Sequence, residues 1–283
     1  MAHCIVLEAE AILDKEFPVL DKGFVRLVDY LGGDERVVQA ARVSYGAGTK
    51  SYREDAGLID YLLRNRHTSP FEQVSLTFHV KLPIFVARQW IRHRTARLNE
   101  ISGRYSVMKD EFYVPALEDV SLQSEDNKQG RSPEPLAKAT AVAVRDVLIQ
   151  GQKDAYEDYS RLVGEGIARE LARVNLPLSL YTEWYWQIDL HNLFHFLELR
   201  MDAHAQKEIR VYAEVLLQIA RSVAPCCCES FERNFLGGIA FSAEEFAELK
   251  RLLVNAGTVE GSSKLTGKAL ERFREKLATG HQK

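Results

Sequence analysis

Residues 74–92 read VSLTFHVKLPIFVARQWIR, and the first nine of them alternate between apolar and polar side chains. This period of two predicts a half-solvated β-strand, because successive side chains of a strand point to opposite faces. A strand with one solvated face favours antiparallel pairing. Pro83 then stands where the first turn of a helix tolerates proline. Residues 84–92 are therefore predicted to form a helix that ends at a cluster of arginines.

The remaining segments change between strand-like and helix-like patterns. Apolar and aromatic runs predict strands at residues 24–31 and 182–188, and two short strands within residues 105–116. Residues 118–135 are polar, contain serine and proline, and are interpreted as a loop. The sequence thus predicts a mixed α/β (α+β) fold. Helices are predicted at residues 35–43, 136–163, 167–174 and 190 to about 222.

An arginine cluster follows the predicted helix. Five arginines and no lysine lie between residues 88 and 104, together with one histidine and one acid. Arginine binds phosphate through a planar fork, whereas an ordinary solvated surface would mix in lysine and glutamate. Gly103 would let the backbone approach a phosphate, and Ser102 and Arg104 would complete the cradle. The cluster therefore predicts a binding site for a phosphorylated ligand.

Composition limits the class of protein. The chain has 283 residues, 46% of them hydrophobic, which suits one large domain with appendages. Its net charge is -3 and its pI is about 6.3, whereas a general nucleic-acid binder would carry a large basic excess. The apolar runs are too short or too interrupted by acids for a signal peptide or a membrane span. We therefore expect a cytoplasmic protein without nucleic-acid or membrane partners.

Three other patterns have plain interpretations. Residues 46–51 (GAGTKS) lack the glycine that a P-loop places before lysine, and they are interpreted as an ordinary loop. His191 and His195 are four residues apart on one helix face, but no further ligand cluster accompanies them, so no metal is predicted. A polar wall beside a ligand ring is the favoured interpretation of this pair. The three consecutive cysteines at residues 226–228 are expected to be buried helical residues.

Two segments have the Ser-x-x-Glu spacing of a helix capping box. Residues 69–72 predict a short helix whose N-terminus either is simply capped or also faces an anionic ligand. Residues 242–245 open a C-terminal part in which residues 257–263 are predicted to be a flexible linker. An apolar stripe then follows at Leu270, Phe273 and Leu277.

The arginine cluster and its surroundings resemble those of flavin-dependent thymidylate synthases. Arg92-His93-Arg94, followed after seven residues by Ser102-Gly103-Arg104-Tyr105-Ser106, is similar to the family signature. HTSPFE at residues 67–72 and LPIFVARQW at residues 82–90 resemble the segments that precede the signature in the family. Further matches are Ala172-Arg173, Leu176-Pro177, Leu199-Arg200 and His204-Ala205-Gln206. The resemblance covers about residues 21–235 and leaves residues 1–20 and 236–283 as an N-terminal and a helical C-terminal extension.

The resemblance implies a central, mainly antiparallel sheet flanked by long helices, and a homotetramer with shared active sites. It also implies FAD as cofactor, NADPH and 5,10-methylenetetrahydrofolate as co-substrates, and dUMP as the substrate that is methylated to dTMP. In the family, reduced flavin supplies a hydride and no cysteine attacks the pyrimidine. The protein would then mainly position and polarise the substrate.

The resemblance also assigns roles to residues at matching positions. Arg200 matches the catalytic arginine that polarises the uracil, and His67 matches a position on the folate side. The expected FAD contacts are Ser69, Arg92, His93, Arg94, Glu100, Asp189, Leu190, His191, His195 and His204. The expected dUMP contacts are Gln89, Trp90, Ile91, Arg92, Glu100, Ile101, Ser102, Gly103, Arg104, Arg173 and Arg200.

Four positions depart from the family pattern. Arg97 replaces a serine, so an ionic contact is expected there. Asp189, His191 and His195 stand where other members carry Asn, Arg and Asn. An ionised aspartate cannot donate a hydrogen bond, so the contact at Asp189 must differ from that of an asparagine.

Two alternatives remain open from the sequence. A flavoprotein that reduces another phosphorylated ligand would keep the arginine cluster but would not need Arg200 beside a uracil. A non-catalytic nucleic-acid-binding module would use the arginines on backbone phosphates, but such a surface should recruit lysine as well. The acidic balance of the chain favours the enzyme.

Overall fold

The computed structural model describes residues 4–45, 52–125, 128–255 and 265–279. The chain divides into two compact units, Met1–Phe231 and Glu232–Lys283. The strands are β1 (Glu16–Val19), β2 (Gly23–Leu31), β3 (Ser75–Pro83), β4 (Arg97–Glu100), β5 (Ser121–Gln123), β6 (Arg131–Pro135) and β7 (Tyr181–Asp189). The α-helices are α1 (Leu7–Glu10), α2 (Asp34–Ala41), α3 (Tyr52–Arg64), α4 (Ile84–Trp90), α5 (Lys138–Gly164), α6 (Arg169–Ala172), α7 (Leu190–Arg200), α8 (Lys207–Val223), α9 (Pro225–Phe231), α10 (Ala243–Asn255) and α11 (Gly267–Thr279).

A five-stranded antiparallel sheet forms the centre of the first unit. Its strand order is β1-β2-β3-β7-β4. The predicted alternating strand is β3, which pairs with β7 along its whole length, from Ser75 opposite Asp189 to Pro83 opposite Tyr181. The predicted mixed α/β fold, with a mainly antiparallel central sheet and long helices beside it, is confirmed.

The core of this unit lies between the sheet and helices α4, α7 and α8. The Trp90 ring is fully buried there, with its centroid 5.1 Å from that of Trp186 and 4.7 Å from that of Phe196. Large buried aromatic rings supply much apolar area and prefer tilted or edge-on contacts such as these. The packing anchors α4, so the chain that follows it leaves the core at a defined place.

The three cysteines at residues 226–228 are buried on α9, as expected. Asp34, the first residue of α2, accepts hydrogen bonds from the backbone N–H groups of Cys226 (2.8 Å) and Cys227 (3.0 Å). The first N–H groups of a helix have no partner within the helix, so this carboxylate satisfies two of them from a distant part of the chain.

The prediction of two short strands within residues 105–116 is wrong. Throughout this fully described segment the structure has no strand, and only a single bridge joins Phe112 to Leu180. Side chains of α5 replace a partner strand: the Tyr159 hydroxyl accepts from the Met108 N–H (2.9 Å), and the Tyr156 hydroxyl donates to the Met108 carbonyl (3.0 Å). Apolar residues suggested strands here because they pack into a satellite cluster with α5.

Two further predictions need correction. Residues 118–135 are not only a loop, because β5 and β6 pair there as a short antiparallel hairpin. The helix from residue 190 to about 222 is broken at residues 201–206, between α7 and α8. Asp202 explains the break: its Oδ1 accepts from the His204 N–H (2.7 Å), and such local bonds compete with helical ones. The break leaves Arg200 as the last residue of α7.

The two predicted capping boxes have different outcomes. Residues 71–73 form a 3-10 turn that begins after Pro70 without a side-chain cap, so the box at residues 69–72 is not formed. In the second unit, the Ser242 Oγ accepts from the Glu245 N–H (3.2 Å), and Glu245 accepts from the Ser242 N–H (2.8 Å), which confirms the other box. The stripe of Leu270, Phe273 and Leu277 lies on α11. The predicted loop at residues 46–51 and the predicted linker at residues 257–263 lie outside the described residues.

Within the described ranges, every helix is too short or too polar to cross a membrane. The same residues contain no cluster of three His, Cys, Asp or Glu side chains that could hold a metal ion.

Candidate active site

The arginine-rich segment lies at an edge of the central sheet. α4 ends at Trp90 in the aromatic core, the chain turns at residues 91–92, and β4 returns to pair with β7. Arg92, Arg94 and Arg97 are exposed along this path. The local sequence explains this geometry, because apolar residues on α4 are buried while the charged residues after it stay in solvent.

His93 and Arg200 form the best-defined polar pair of the site. The Nε–H of Arg200 donates to Nε2 of His93 at 3.0 Å, and the His93 ring also packs edge-on against Phe196, with centroids 4.8 Å apart. Burial, then the positive charge of Arg200, then His195 lower the pKa of His93 to about 4. His93 is therefore neutral near pH 7 and can accept a hydrogen bond from the guanidinium without charge repulsion.

A tight turn brings the signature serine, glycine and arginine together. The Ser102 carbonyl accepts from the Tyr105 N–H (3.0 Å), and the Ser102 Oγ accepts from the Arg104 N–H (3.3 Å). A Cβ at Gly103 would lie 3.1 Å from the Arg173 side chain and 3.0 Å from the sulfur of Met108. Glycine is therefore needed for close approach, and two arginines from separate segments lie around one turn.

A pocket opens beside this turn. It has a volume of about 450 Å³ and is lined by residues 104–105, Val163 and residues 166–170. At its mouth the Arg104 guanidinium pairs with Glu170 at 3.1 Å, and Arg169 donates to the Tyr105 carbonyl at 3.0 Å. The pair is more than half exposed, so the guanidinium can exchange its carboxylate for a phosphate at low cost.

Glu100 and its neighbour are fixed by β7. The Thr182 hydroxyl donates to Glu100 at 2.6 Å, and the Ile101 N–H donates to the Glu183 carbonyl at 2.9 Å. Trp90 is fully buried as a whole residue, whereas Ile91 is half exposed.

Asp189 caps the N-terminus of α7. Its two carboxylate oxygens accept from the Asn192 backbone N–H (2.9 Å) and side-chain amide (2.7 Å). Leu190 is buried behind this cap, while His195 is exposed, with its ring centroid 5.7 Å from that of His93. His191 lies one turn earlier and is partly exposed. The α7 residues thus border the His93–Arg200 pair from one side.

Three of the expected contact residues have other neighbours. His67 and Ser69 are exposed near the 3-10 turn at residues 71–73, and the His67 ring packs 6.0 Å from that of Tyr61. His204 lies in the break between α7 and α8, where Asp202 binds its Nδ1 at 2.8 Å. Nothing in these contacts links the three residues to the arginine turn within one chain.

Several contacts near the site have no local sequence signal. The contact with Arg104 places Glu170 at the site. In the sequence, only its proximity to Arg173 indicated this. Gln206 accepts a short hydrogen bond from Gln89, and it binds the buried Glu208 with its amide nitrogen at 2.9 Å. Such contacts join distant segments, so no local pattern could predict them.

Comparisons with known proteins identify the family of this chain. A family model described as "Thymidylate synthase complementing protein" matches residues 26–226, and one described as "Thymidylate synthase ThyX C-terminal domain" matches residues 239–283. The chain is 66% identical to a flavin-dependent thymidylate synthase of Treponema denticola, over 95% of this chain and 100% of that one. It is 61% identical to one of Treponema pallidum, over 100% of this chain and 91% of that one.

A solved structure shares the fold. The UMP/dUMP methylase PolB from Streptomyces cacaoi, bound with 5-Br dUMP, superposes with a TM-score of 0.70 at 35% identity, over 77% of this chain and 98% of that one. The fold and these relatives define a flavin-dependent methyltransferase. The chain belongs to the flavin-dependent thymidylate synthase family, so it is an enzyme and thymidylate synthesis is its activity.

Proposed function

We propose that this enzyme converts dUMP to dTMP with 5,10-methylenetetrahydrofolate as carbon donor and NADPH as the reductant of its FAD. The observation that carries this proposal is the placement of three arginines. Arg104 and Arg173 flank the turn at Gly103, and Arg200 separately donates a hydrogen bond to the neutral His93. Two arginines suit the phosphate of a nucleotide, and a third, separately held arginine suits its base.

The donor set fits the diphosphate of FAD. Arg92 and Arg94 are exposed beside His93. Asp189 and His191 stand at the start of α7, the helix whose His195 ring lies 5.7 Å from that of His93. These residues, with Ser69, Glu100, Leu190, His195 and His204, are the proposed FAD contacts. Exposed guanidinium groups bind diphosphates well, whereas the Asp189 carboxylate can accept only from an N–H or O–H of the flavin. When bound, the reduced flavin supplies a hydride.

The proposed dUMP site uses the turn as a phosphate cradle. Arg104 and Arg173 would bind the phosphate, with Ser102 and the backbone at Gly103 close to it. The exposed neighbours Ile91 and Ile101 would border the sugar or the base. Gln89, Trp90, Arg92 and Glu100 complete the proposed set. Fixed cations bind a dianion strongly where they need no rearrangement.

Arg200 would polarise the uracil. A guanidinium beside the pyrimidine stabilises negative charge on the ring, which raises the electron density at C5 and makes that carbon a better nucleophile. Neutral His93 keeps its own proton on Nδ1, accepts from Arg200 at Nε2, and so orients the cation without competing with it. Cysteine attack is not part of this proposal, since burial raises the pKa of the Cys227 thiol well above its ordinary value.

The homotetramer also belongs to the proposal. α5 exposes Val144, Val147 and Leu148, which are three and four residues apart and therefore share one face of the helix; Val147 is 73% exposed and Leu148 is 42% exposed. Such a face favours burial against another protein surface. A second copy would cover it, and neighbouring copies would bring residues such as His67 on the folate side, Ser69 and His204 to a shared active site.

The decisive experiment follows the flavin spectrum in one anaerobic sample. The purified chain is loaded with FAD, reduced with NADPH, and then mixed with dUMP and 5,10-methylenetetrahydrofolate. We expect bleaching of the flavin by NADPH, then reoxidation with formation of dTMP. A chain that binds no flavin, or reoxidation without dTMP, would contradict the proposal.

A further inference from the structure

A chain of hydrogen bonds runs from a buried carboxylate to Gln89. Glu208, at the start of α8, is 1% exposed, and its Oε1 accepts from the Tyr113 hydroxyl at 2.9 Å. Its Oε2 accepts from the Gln206 amide nitrogen at 2.9 Å. The Gln206 Oε1 in turn accepts a short hydrogen bond from the amide nitrogen of Gln89.

The charge of Glu208 fixes the direction of every bond in this chain. An ionised carboxylate can only accept, so Gln206 must turn its NH₂ group toward Glu208. Its carbonyl oxygen therefore faces Gln89, which can satisfy that oxygen only with its own NH₂ group. The Gln89 carbonyl is thereby held on the opposite side of the amide, away from Gln206.

The β5–β6 hairpin supplies the charge that keeps Glu208 ionised. Burial alone would raise the pKa of Glu208, but the hydrogen bond and positive charge of Arg131 outweigh burial and lower the pKa below its ordinary value. Arg131 is the first residue of β6 and pairs with Glu208. Lys207 pairs with Asp119, which lies before β5 at the other end of the hairpin region. This pair is not part of the hydrogen-bond chain from Glu208 through Gln206 to Gln89, which we call the relay.

We propose that Glu208, Gln206 and Arg131 are positioning residues that present the Gln89 carbonyl oxygen to the nucleotide, so that the enzyme selects a ligand with a hydrogen-bond donor there. This inference rests on the proposed function, in which Gln89 contacts dUMP. Two groups of dUMP can donate, the 3′ hydroxyl of the sugar and the N3–H of the uracil. A site built around one such hydrogen bond rejects an analogue that lacks the donor, because its own acceptor is then left unpaired.

Calorimetry tests this inference by measuring how tightly three nucleotides bind to the FAD-loaded full chain. The nucleotides are dUMP, its 3′-deoxy analogue and its N3-methyl analogue. The native enzyme should prefer dUMP to one of the analogues by about tenfold or more, and the analogue that is rejected identifies the donor. In Gln206→Leu and Glu208→Gln the preference should fall several-fold, because the Gln89 amide is free to turn over. Lys207→Gln, which loosens the same hairpin region outside the relay, should keep the preference of the native enzyme.

The ratio of the affinity for dUMP to the affinity for each analogue separates positioning from simple loss of structure. A loosened site would weaken the binding of all three nucleotides alike and leave this ratio unchanged. The inference is overturned if the native enzyme binds dUMP but does not discriminate, or if both relay variants keep the native preference. A native chain that binds no dUMP at all would instead contradict the proposed function, and this inference with it.

Discussion

The Nε of Arg200 lies 3.0 Å from the Nε2 of His93, which makes an imidazole the acceptor for a guanidinium. Only neutral imidazole can accept, so the proton of His93 must be on Nδ1. The pair joins the end of α7 to the turn after α4, two segments that are 107 residues apart in the chain. Arg200, which we propose to be the catalytic cation, thus depends on a histidine that is neutral near pH 7.

Titration of His93 is the first prediction. Its pKa of about 4 lies below the ordinary value of 6.5, because burial and the charge of Arg200 disfavour the imidazolium. Arg200→Gln should therefore raise the pKa toward 6.5. Nuclear magnetic resonance of histidine-labelled protein measures this, with His93→Gln to assign the signal. Titration of native His93 near 6.5 would contradict the pairing.

The same shift predicts how stability depends on pH. Because the folded pKa is depressed, the folded state disfavours a proton that the unfolded state takes up. The contribution of neutral His93 to the free energy of unfolding is present above pH 6.5 and is lost as the pH falls through about 4. Urea unfolding between pH 4 and 7 should show a smaller decline in His93→Gln than in the native chain.

Replacement of Arg200 should separate flavin binding from catalysis. Arg200→Ala should keep FAD but lower the rate of dTMP formation by about 100-fold or more, since a fixed charge at the developing anion is lost. Arg210→Ala is a matched control. Arg210 lies on α8, donates to the Ala203 carbonyl between α7 and α8, and is outside the proposed site. The visible spectrum and a dTMP assay measure both effects. Full turnover by Arg200→Ala would refute the role.

Arg104 should account for a measurable share of dUMP affinity. Arg104→Ala is expected to weaken dUMP binding by about 2 kcal/mol, because it removes a charged hydrogen-bond donor from the phosphate. The native enzyme must give up the Arg104–Glu170 pair to bind the phosphate, but this exposed pair is worth little, so its absence offsets only a small part of the loss. Calorimetry gives the affinity, with Arg161→Ala on exposed α5 as control. Unchanged affinity would remove Arg104 from the phosphate site.

Asp34 should stabilise the first unit through α9. Asp34→Ala removes the acceptor of two helical N–H groups and should cost about 1 to 2 kcal/mol in the free energy of unfolding. Asp34→Asn should cost less, because its single carbonyl oxygen can still accept one of these bonds. Urea unfolding followed by tryptophan fluorescence compares the variants. Equal stability of Asp34→Ala and the native chain would exclude a capping role.

Local patterns were enough to predict β3, α4 and the exposed arginines. Alternation over residues 74–82 depends only on which side chains face the core, and that face is buried in the structure. The break at residues 201–206 was missed because its residues are compatible with helix and a single side chain, Asp202, ends the run. The β5–β6 hairpin was missed because both strands are short and β6 contains proline.

The site could be predicted only in part, for a related physical reason. The signature identified the arginine turn because its residues are close in sequence and share one chemistry. The Arg200–His93 pair, the Arg104–Glu170 pair and the Glu208 relay join segments that are 66 to 117 residues apart, and no periodicity encodes such contacts. Only the folded chain brings them together.

The exposed face of α5 should be a subunit interface. Val147→Asp places a charge on the most exposed apolar residue of this face, and burying an unpaired charge is costly. We expect the variant to lose the tetramer, as measured by analytical ultracentrifugation, and to lose dTMP formation with it, because the active sites are proposed to be shared. Ser160→Asp adds the same charge to a polar stretch of α5 and should leave the native mass unchanged. A Val147→Asp tetramer, or a fully active monomer, would contradict the interface or the sharing of sites, respectively.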